Sequence, residues 1–222
     1  MNNLFIDLET VPGCDWYIHQ LQEAVAPPSN YRSEDAIQKW WKEIGDDKVV
    51  DAGHAAGLIP AYGEIICISV AKNDEDPVSF TAYSEIDLLQ DLWYWLKINM
   101  PELGQTRLIG HNLVAFDLPF LWFRSLYNNV NLGYWVPCPN KVRPWETERL
   151  FDTLHILAGR DTKGYSLGNM GKLFGIKDFY PEIDGSMIWD LYKQGKITDI
   201  AAYCENDVMM VRDLYKRMEG FT

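Results

Sequence analysis

The sequence predicts an α/β protein in which a mixed central sheet is flanked by helices. Short apolar, β-branched runs typical of buried strands alternate along the chain with longer segments of helical period. Three strands precede the first long helix, and strands and helices then alternate, which suits a mixed sheet. With 222 residues and 47% hydrophobic content, the chain is expected to form one domain, 1–222, with an insertion at about 13–60.

The first half of the chain supplies most of the predicted strands. The run Leu4-Phe5-Ile6 predicts a strand at about 3–9. An irregular stretch is expected at 13–60, followed by strands near 64–72 and 77–83. A helix at about 85–99 carries leucines on one side, and a strand at 106–111 leads into a helix at 116–130.

The second half is predicted to be mainly helical. Pro137, Pro139 and Pro144 interrupt regular structure. Short helices are expected near 153–159, 166–174 and 186–194. The strongest helical pattern comes last, because apolar residues recur there at steps of three and four: Ile197, Ile200, Cys204, Val208, Val211, Tyr215 and Met218.

Carboxylates occur in three short segments that are far apart in the sequence. Asp7 and Glu9 are two residues apart on a strand, so they project to the same side. Asp117 lies near a strand-to-helix junction, where catalytic groups often occur. Tyr203 and Asp207 are four residues apart, at the flank of the final helix's buried face. The pattern is that of a divided metal site.

Convergence of four carboxylates would require cations between them, because buried charges persist only when they are paired or bound to metal. Oxygen ligands without accompanying Cys or His favour Mg²⁺ or Mn²⁺ over Zn²⁺. Such a cluster fits phosphodiester chemistry at two ions that lie about 3.5–4 Å apart.

Three motifs in this order resemble those of the DEDD, or DnaQ-like, superfamily of 3′–5′ exonucleases. They are Ile6-Asp7-Leu8-Glu9-Thr10, the segment from Gly110 to Asp117, and the segment from Tyr203 to Asp207. Tyr203 is typical of the DEDDy branch, and the chain is similar to the proofreading exonuclease domain of family-B DNA polymerases. The resemblance covers nearly the whole chain apart from about 15–60, and it implies an RNase H-like fold.

The resemblance also implies a role for each matched residue. Asp7 would bridge two Mg²⁺ or Mn²⁺ ions, Glu9 and Asp207 would complete the site of the water-activating ion, and Asp117 would hold the second ion. Tyr203 would hydrogen-bond the attacking water. The residues that would bind the terminal nucleotide are Thr10, Asn112 and Phe116. From the residues alone, Asn112 also suits a turn and Phe116 also suits the core.

The predicted substrate is nucleic acid with a free 3′ end, most simply single-stranded DNA. A net charge of −12 argues against a broad electrostatic grip on a duplex. Residues 141–177 hold seven basic and four acidic residues, a local net charge of +3. This segment could guide the nucleic-acid strand, or it could be a solvated surface of mixed charge. An RNA-trimming exonuclease and a catalytically silent nucleic-acid-binding module remain alternatives.

The acidic 13–60 stretch contains Trp16, Trp40 and Trp41. It suits a lid, a strand-separating wedge or a partner surface, because aromatic rings stack on unpaired bases. A helix packed on the core through its aromatic residues is the favoured interpretation. Neighbouring residues do not share a helical face, so one of the paired tryptophans is expected to be exposed.

Several polar residues near these motifs have structural interpretations. Asp152 suits either a further acid or a helix N-cap, and the N-cap is favoured. Ser166 is also expected to be an N-cap, and His111 to have a structural role at a strand end.

Composition indicates a cytoplasmic protein. Cys14, Cys67, Cys138 and Cys204 show no CxxC spacing, so reduced thiols are expected. The first residues lack the pattern of a signal peptide. No apolar run approaches the roughly 20 residues that span a bilayer, so no membrane partner is expected.

Overall fold

The computed structural model describes residues 2–100, 106–131, 148–159 and 161–221. The chain divides into two compact units, one formed by Met1–Glu9 with Ile65–Thr222 and the other by Thr10–Glu64. The expected single domain with an insertion at 13–60 stays a prediction. Pro137, Pro139 and Pro144 lie outside the described residues, as do Cys138, Lys141, Arg143 and Arg160.

The larger unit is built on a five-stranded sheet. Its strands are β1 (Asn2–Pro12), β2 (Gly63–Lys72), β3 (Val78–Phe80), β4 (Thr106–Gly110) and β5 (Leu150–Asp152), in the order β3-β2-β1-β4-β5. β4 pairs in parallel with both β1 and β5, whereas β2 and β3 are antiparallel. The predicted mixed sheet is therefore confirmed. β5 was not predicted, because three residues are too few to show a period.

Nine α-helices occur among the described residues. They are α1 (Asp15–Glu23), α2 (Glu34–Trp40), α3 (Asp46–Ala55), α4 (Glu85–Asn99), α5 (Asp117–Tyr127), α6 (Thr153–Ala158), α7 (Leu167–Phe174), α8 (Ile188–Lys193) and α9 (Ile197–Met218). A π-helical turn occupies Trp41–Gly45, and 3₁₀ turns occupy Ala56–Leu58 and Gly185–Met187. Within the described ranges, no helix has both the length and the apolarity to cross a membrane.

Side chains alternate between the two faces of the sheet along β1, and this alternation determines which face carries Asp7 and Glu9. Leu4, Ile6 and Leu8 belong to a core cluster that also contains leucines of α4 and α5. Phe5 belongs to the opposite cluster, with buried residues of α7 and α9. Because side chains two residues apart share a face, Asp7 and Glu9 continue the Phe5 side and face α9.

α9 packs along that face over its predicted length. Cys204, Val208, Val211 and Tyr215 are buried. The Tyr215 ring makes T-shaped contacts with Phe5, at 5.6 Å between centroids, and with Phe151, at 4.8 Å. This packing fixes the rotation of α9 and therefore the direction of its polar flank.

The smaller unit contradicts the expected irregular stretch at 13–60. It contains α1, and α2, the π-helical turn and α3 follow one another without a break from residue 34 to 55. The prediction that one tryptophan of the pair is exposed is also wrong. Trp40 is 6% exposed and Trp41 is half-buried, and their rings meet edge to face at 5.0 Å. The Trp41 ring lies over Gly45, where a side chain would clash with it, and the spacing of apolar residues does not reveal such a contact with a glycine.

Candidate active site

Four carboxylates from three elements converge beside the end of β1. Asp7 and Glu9 come from β1, Asp117 is the first residue of α5, and Asp207 comes from α9. The carboxylate of Asp7 is close enough to those of Glu9, Asp207 and Asp117 to feel their charge. The structure thus brings together the four residues that the sequence predicts as metal ligands.

Burial is the largest cause of raised pKa values in this cluster. It raises the pKa of Asp7, Glu9 and Asp117 well above the usual range, and repulsion from neighbouring carboxylates adds to the effect. Burial also raises the pKa of Asp207 to about 7, although hydrogen bonds from Tyr203 and Asn206 oppose the rise. Protons or cations are needed to stabilise such a cluster.

Glu9 is the carboxylate with the fewest compensating contacts. It is 8% exposed, and within the described parts of the chain no hydrogen bond or ion pair to it is found. A buried carboxylate without partners is costly unless it is neutralised or binds a cation. The oxygen-rich donor set, with this unpartnered carboxylate, fits a divalent metal ion.

Tyr203 lies one helical turn before Asp207, and its hydroxyl donates to the Asp207 carboxylate. Burial raises the pKa of the Tyr203 phenol, with further contributions from the charges of Asp207, Glu9 and Asp7. The phenol therefore stays protonated and acts as a donor at the edge of the cluster.

Asp152 fixes the turn that leads into α5. One of its oxygens accepts the backbone N–H groups of Asn112, at 3.0 Å, of Leu154, at 3.1 Å, and of His155, at 3.2 Å. The other accepts the N–H of Val114 at 2.9 Å. The predicted N-cap is confirmed, but Asp152 also ties β5 to the turn after β4. Sequence reasoning missed that second contact.

Asn112 occupies the left-handed region of this turn, with φ of 69°. Asn tolerates that conformation better than most residues do, so its turn role is confirmed. Phe116 is the N-cap residue of α5 and is half-buried, with its ring 4.9 Å from that of Phe120. Their proposed contacts with a nucleotide stay predictions.

His111 has the structural role that was expected. Its Nδ1 lies 2.8 Å from the Thr153 hydroxyl, and its Nε2 lies 2.8 Å from the backbone carbonyl of Tyr165. Burial lowers the pKa of the imidazole, so a neutral ring donates from Nε2 to that carbonyl. His111 thereby tethers the loop before α7, whose N-cap is Ser166 as predicted.

A cleft of about 520 Å³ opens beside the carboxylates. It is lined by Asp7, His111, Asn112, Asn169, Tyr203 and Asp207, among others. Thr10 belongs to the smaller unit, where its hydroxyl donates to the carbonyl of Gly57 at 2.7 Å. The contact of Thr10 with a 3′ end stays a prediction.

Comparison with known proteins identifies the family. A model described as a predicted 3′–5′ exonuclease related to the exonuclease domain of PolB matches residues 61–222, more than half of the chain. The chain belongs to this family. It is therefore an enzyme of the 3′–5′ exonuclease class, as the sequence motifs predict. Among curated proteins, none matches the sequence significantly.

Two solved structures share the fold of this exonuclease. The family B DNA polymerase from the hyperthermophilic archaeon Pyrobaculum calidifontis has a TM-score of 0.62 and 14% identity, covering 100% of this chain and 25% of the polymerase. E. coli Exonuclease I, solved with a dT13 oligonucleotide, has a TM-score of 0.51 and 13% identity, covering 98% of this chain and 41% of that one. The RNase H-like fold is thus confirmed, and the chain spans less than half of either protein.

For an exonuclease with this cluster, we expect the stability of the metal-free protein to fall as the pH rises from about 4 to about 7. The lower limit is the ordinary pKa of an unfolded carboxyl group, and the upper limit is the pKa of about 7 of Asp207. Across this window the folded chain holds more protons than the unfolded chain, so each rise in pH favours unfolding. Thermal unfolding in EDTA at pH 5, 6, 7 and 8 measures the fall.

The Asp207→Asn variant isolates the contribution of Asp207, because all other titrating groups are shared with the wild type. Its unfolding temperature is expected to fall less over the same pH range. Parallel curves for the two proteins would contradict the raised pKa of Asp207.

Asp152→Asn is expected to lower the free energy of unfolding by about 1–3 kcal/mol, because an amide NH₂ would face N–H donors and leave some unpaired. Urea unfolding measures the loss. Asp184→Asn is the matched control, since Asp184 caps the 3₁₀ turn at Gly185–Met187 from an exposed position and its loss is expected to be smaller. Equal losses for the two variants would show that the tie between β5 and the turn after β4 contributes little.

Proposed function

We propose that the chain is a metal-dependent exonuclease that releases nucleoside monophosphates from the 3′ end of single-stranded DNA. The observation that carries the proposal is the convergence of Asp7, Glu9, Asp117 and Asp207 beside an open cleft. The family match supplies the reaction class and its general use of divalent ions. The substrate, the identity and number of the ions, and the residues that hold them are the proposed part.

Asp7, Glu9, Asp117 and Asp207 are the residues that would hold two Mg²⁺ or Mn²⁺ ions. When bound, such ions supply a nucleophilic water and stabilise the charge that develops on the leaving oxygen. Burial raises the pKa of all four carboxyl groups, and repulsion within the cluster adds to the rise at Asp7 and Glu9, so a bound cation would relieve a real electrostatic cost. Asn206 donates to Asp207 at 3.4 Å and helps to hold that carboxylate in place.

Tyr203 would position the attacking water. Its hydroxyl remains protonated because burial and three nearby carboxylates oppose ionisation. A fixed, neutral donor at the edge of the cluster suits the orientation of a water molecule rather than proton abstraction.

The cleft supports a single strand as the substrate. A volume of about 520 Å³ lies within the roughly 300–1,000 Å³ of pockets that take one small ligand, which suits a terminal nucleotide rather than a duplex. The net charge of −12 also disfavours a long electrostatic contact. Exonuclease I was solved with a dT13 oligonucleotide, and a similar strand is our choice of substrate for this chain.

The deciding experiment follows 5′-labelled single-stranded DNA and RNA of equal sequence with Mg²⁺ or Mn²⁺. We expect a ladder that shortens from the 3′ end of DNA, requires metal and stops at a blocked 3′ end. A stronger ladder on RNA would replace DNA with RNA as the substrate. Absence of a ladder on both polymers would contradict the proposal and favour a binding module.

Tyr203→Phe is expected to lower kcat by about 10- to 100-fold with little change in KM. The variant loses one hydrogen bond of about 1.5–3 kcal/mol, and 1.36 kcal/mol corresponds to a tenfold change in rate. Tyr94→Phe, at an exposed position on α4, is the control and should retain the wild-type rate. A loss larger than that of Asp7→Asn would show that Tyr203 does more than orient water.

A further inference from the structure

A thiol that has no role in the proposed hydrolytic reaction lies against the carboxylates. Cys204 on α9 is completely buried. Its Sγ lies 3.4 Å from Oδ2 of Asp7 and 3.5 Å from the Asp7 backbone carbonyl. Potential ligand atoms of Asp7, Glu9 and Cys204 all lie within 4.8 Å of one another. Two carboxylate oxygens and one sulfur, all potential metal ligands, are therefore close enough to bind a single ion.

The local structure explains this arrangement. Cys204 belongs to the apolar stripe of α9, whereas Tyr203 and Asp207 lie on its flank. Because α9 packs on the face of β1 that carries Asp7 and Glu9, a residue on the stripe reaches the inner side of the same carboxylates. Most stripe positions hold aliphatic or aromatic side chains, but this position holds a thiol, a group of a kind that binds metals.

The distance between the sulfur and the carboxylate oxygen matches the geometry of a site for a thiophilic cation. Zinc lies about 2.3 Å from a cysteine sulfur and about 2.0–2.2 Å from a carboxylate oxygen, so tetrahedral geometry places the two ligand atoms about 3.5 Å apart. The distance between Cys204 Sγ and Asp7 Oδ2 is 3.4 Å. A hard ion such as Mg²⁺ prefers oxygen and would not use the sulfur.

Glu9 provides an independent reason to expect a cation at this point. Its side chain is more than nine-tenths buried, lies within the same triangle of ligand atoms, and has no hydrogen-bonding partner within the described parts of the chain. A bound cation would supply the positive charge that this buried carboxylate needs.

We propose that Asp7, Glu9 and Cys204 form a binding site for a thiophilic divalent cation, zinc or cadmium. Formation of the sulfur–metal bond replaces the S–H bond of Cys204, and the proton passes to solvent. Because Asp7 and Glu9 are shared with the proposed catalytic site, the thiophilic cation excludes Mg²⁺ and inhibits the enzyme. The inhibition rests on the proposed exonuclease function, whereas the binding itself does not.

Cadmium titration of the full chain tests the binding directly. Cys14 and Cys138 are first replaced with Ser, so that Cys67 and Cys204 are the cysteines that remain of four. We expect about one Cd²⁺ per chain and an ultraviolet sulfur-to-cadmium charge-transfer absorption. Cys204→Ser should abolish the absorption, and Asp7→Asn should weaken Cd²⁺ binding by at least about 10- to 100-fold, the loss seen when only an outer-shell partner of a metal ligand is removed.

Cys67→Ser is the matched control. Cys67 is a second completely buried thiol near both Cys204 and Glu9, but it is not part of the triangle. The control should keep the absorption, and circular dichroism checks that each variant is folded. Absence of the absorption in the parent, its persistence in Cys204→Ser, or its loss in Cys67→Ser would overturn the proposed site.

Zinc inhibition tests the consequence. At a fixed Mg²⁺ concentration, Cys204→Ser is expected to need about 10- to 100-fold more Zn²⁺ for half inhibition, with each rate expressed relative to the same variant without Zn²⁺. An unchanged inhibitory concentration would overturn the role of the thiol in inhibition. If no variant degrades nucleic acid, the exonuclease proposal fails, and the cadmium absorption still decides whether the site exists.

Discussion

Asp7→Asn is expected to lower kcat/KM by about 10³-fold and, in the same protein, to raise the unfolding temperature measured without metal. Both effects come from the position of Asp7 at the centre of the carboxylate cluster, where it interacts with Glu9, Asp207 and Asp117. Bound metal supplies several kcal/mol of transition-state stabilisation, and 1.36 kcal/mol corresponds to a tenfold change in rate.

The stabilisation has a separate physical origin. Burial and three neighbouring carboxylates raise the pKa of Asp7, which means that its ionised form destabilises the folded chain at neutral pH. The isosteric amide removes that charge. With saturating Mg²⁺ the order should reverse, because only the wild type retains the full set of ligands and gains the full binding free energy.

Asp213→Asn provides the matched control. It makes the same chemical change on α9, at an exposed position, and it should leave activity unchanged and stability within about 0.5 kcal/mol. Thermal unfolding with EDTA and with Mg²⁺, alongside the labelled-DNA assay, measures all three quantities. If Asp7→Asn proved less stable than the wild type in EDTA, Asp7 would have a structural role that its electrostatic environment does not show.

The carboxylate cluster could be predicted because each of its parts has a local signal. The two-residue spacing of Asp7 and Glu9 places them on one face of β1, and the apolar stripe of α9 fixes the direction of Asp207. These signals depend on backbone periodicity, which tertiary packing rarely changes in long, strongly periodic elements. The sequence therefore predicts which side chains meet, while the roles in catalysis came from the family resemblance.

The helices of Thr10–Glu64 show where periodicity fails. α1 has no buried residue, and α2 buries only Trp40. Helices with so few core contacts lack the apolar stripe on which sequence reasoning depends. The π-helical turn at Trp41–Gly45 then shifts the phase within one continuous helical stretch.

The contacts made by Asp152 were missed for a different reason. Two of the four hydrogen bonds that it accepts join β5 to a turn about 40 residues earlier, and β5 itself is too short to be recognised. An N-cap pattern in the sequence predicts the hydrogen bonds to the first turn of the helix, but it does not predict bonds to a distant turn. The same holds for the thiol of Cys204, which a helical stripe marks as core but which only the packing of α9 places beside Asp7.

A buried ion pair between α4 and α5 was not predicted either, and its disruption is expected to cause the largest loss of stability. Glu85 and Arg124 are 6% and 8% exposed. Arg124 Nη2 lies 2.6 Å from Glu85 Oε2, and its Nε lies 2.8 Å from Oε1. The carboxylate also accepts the backbone N–H of Ile65 at 2.8 Å and the side-chain amide of Asn128 at 2.6 Å, so the pair connects both helices to β2.

Arg124→Met is expected to lower the free energy of unfolding by about 3–5 kcal/mol, because it leaves the Glu85 charge buried without its cation. Urea unfolding measures the loss. Lys216→Met is the matched control, since it removes a cation from the exposed pair with Asp74 and should cause a much smaller loss, because solvent screens exposed ion pairs.

The double variant Glu85→Gln/Arg124→Met distinguishes an unpaired charge from lost packing. Gln keeps one oxygen as an acceptor for the N–H of Ile65 but carries no charge, so the double variant should be more stable than Arg124→Met alone. The interaction energy of the cycle is expected to be about 1–3 kcal/mol. If the losses of the two single variants simply added, the cost would belong to the packing of the arginine side chain and not to its charge.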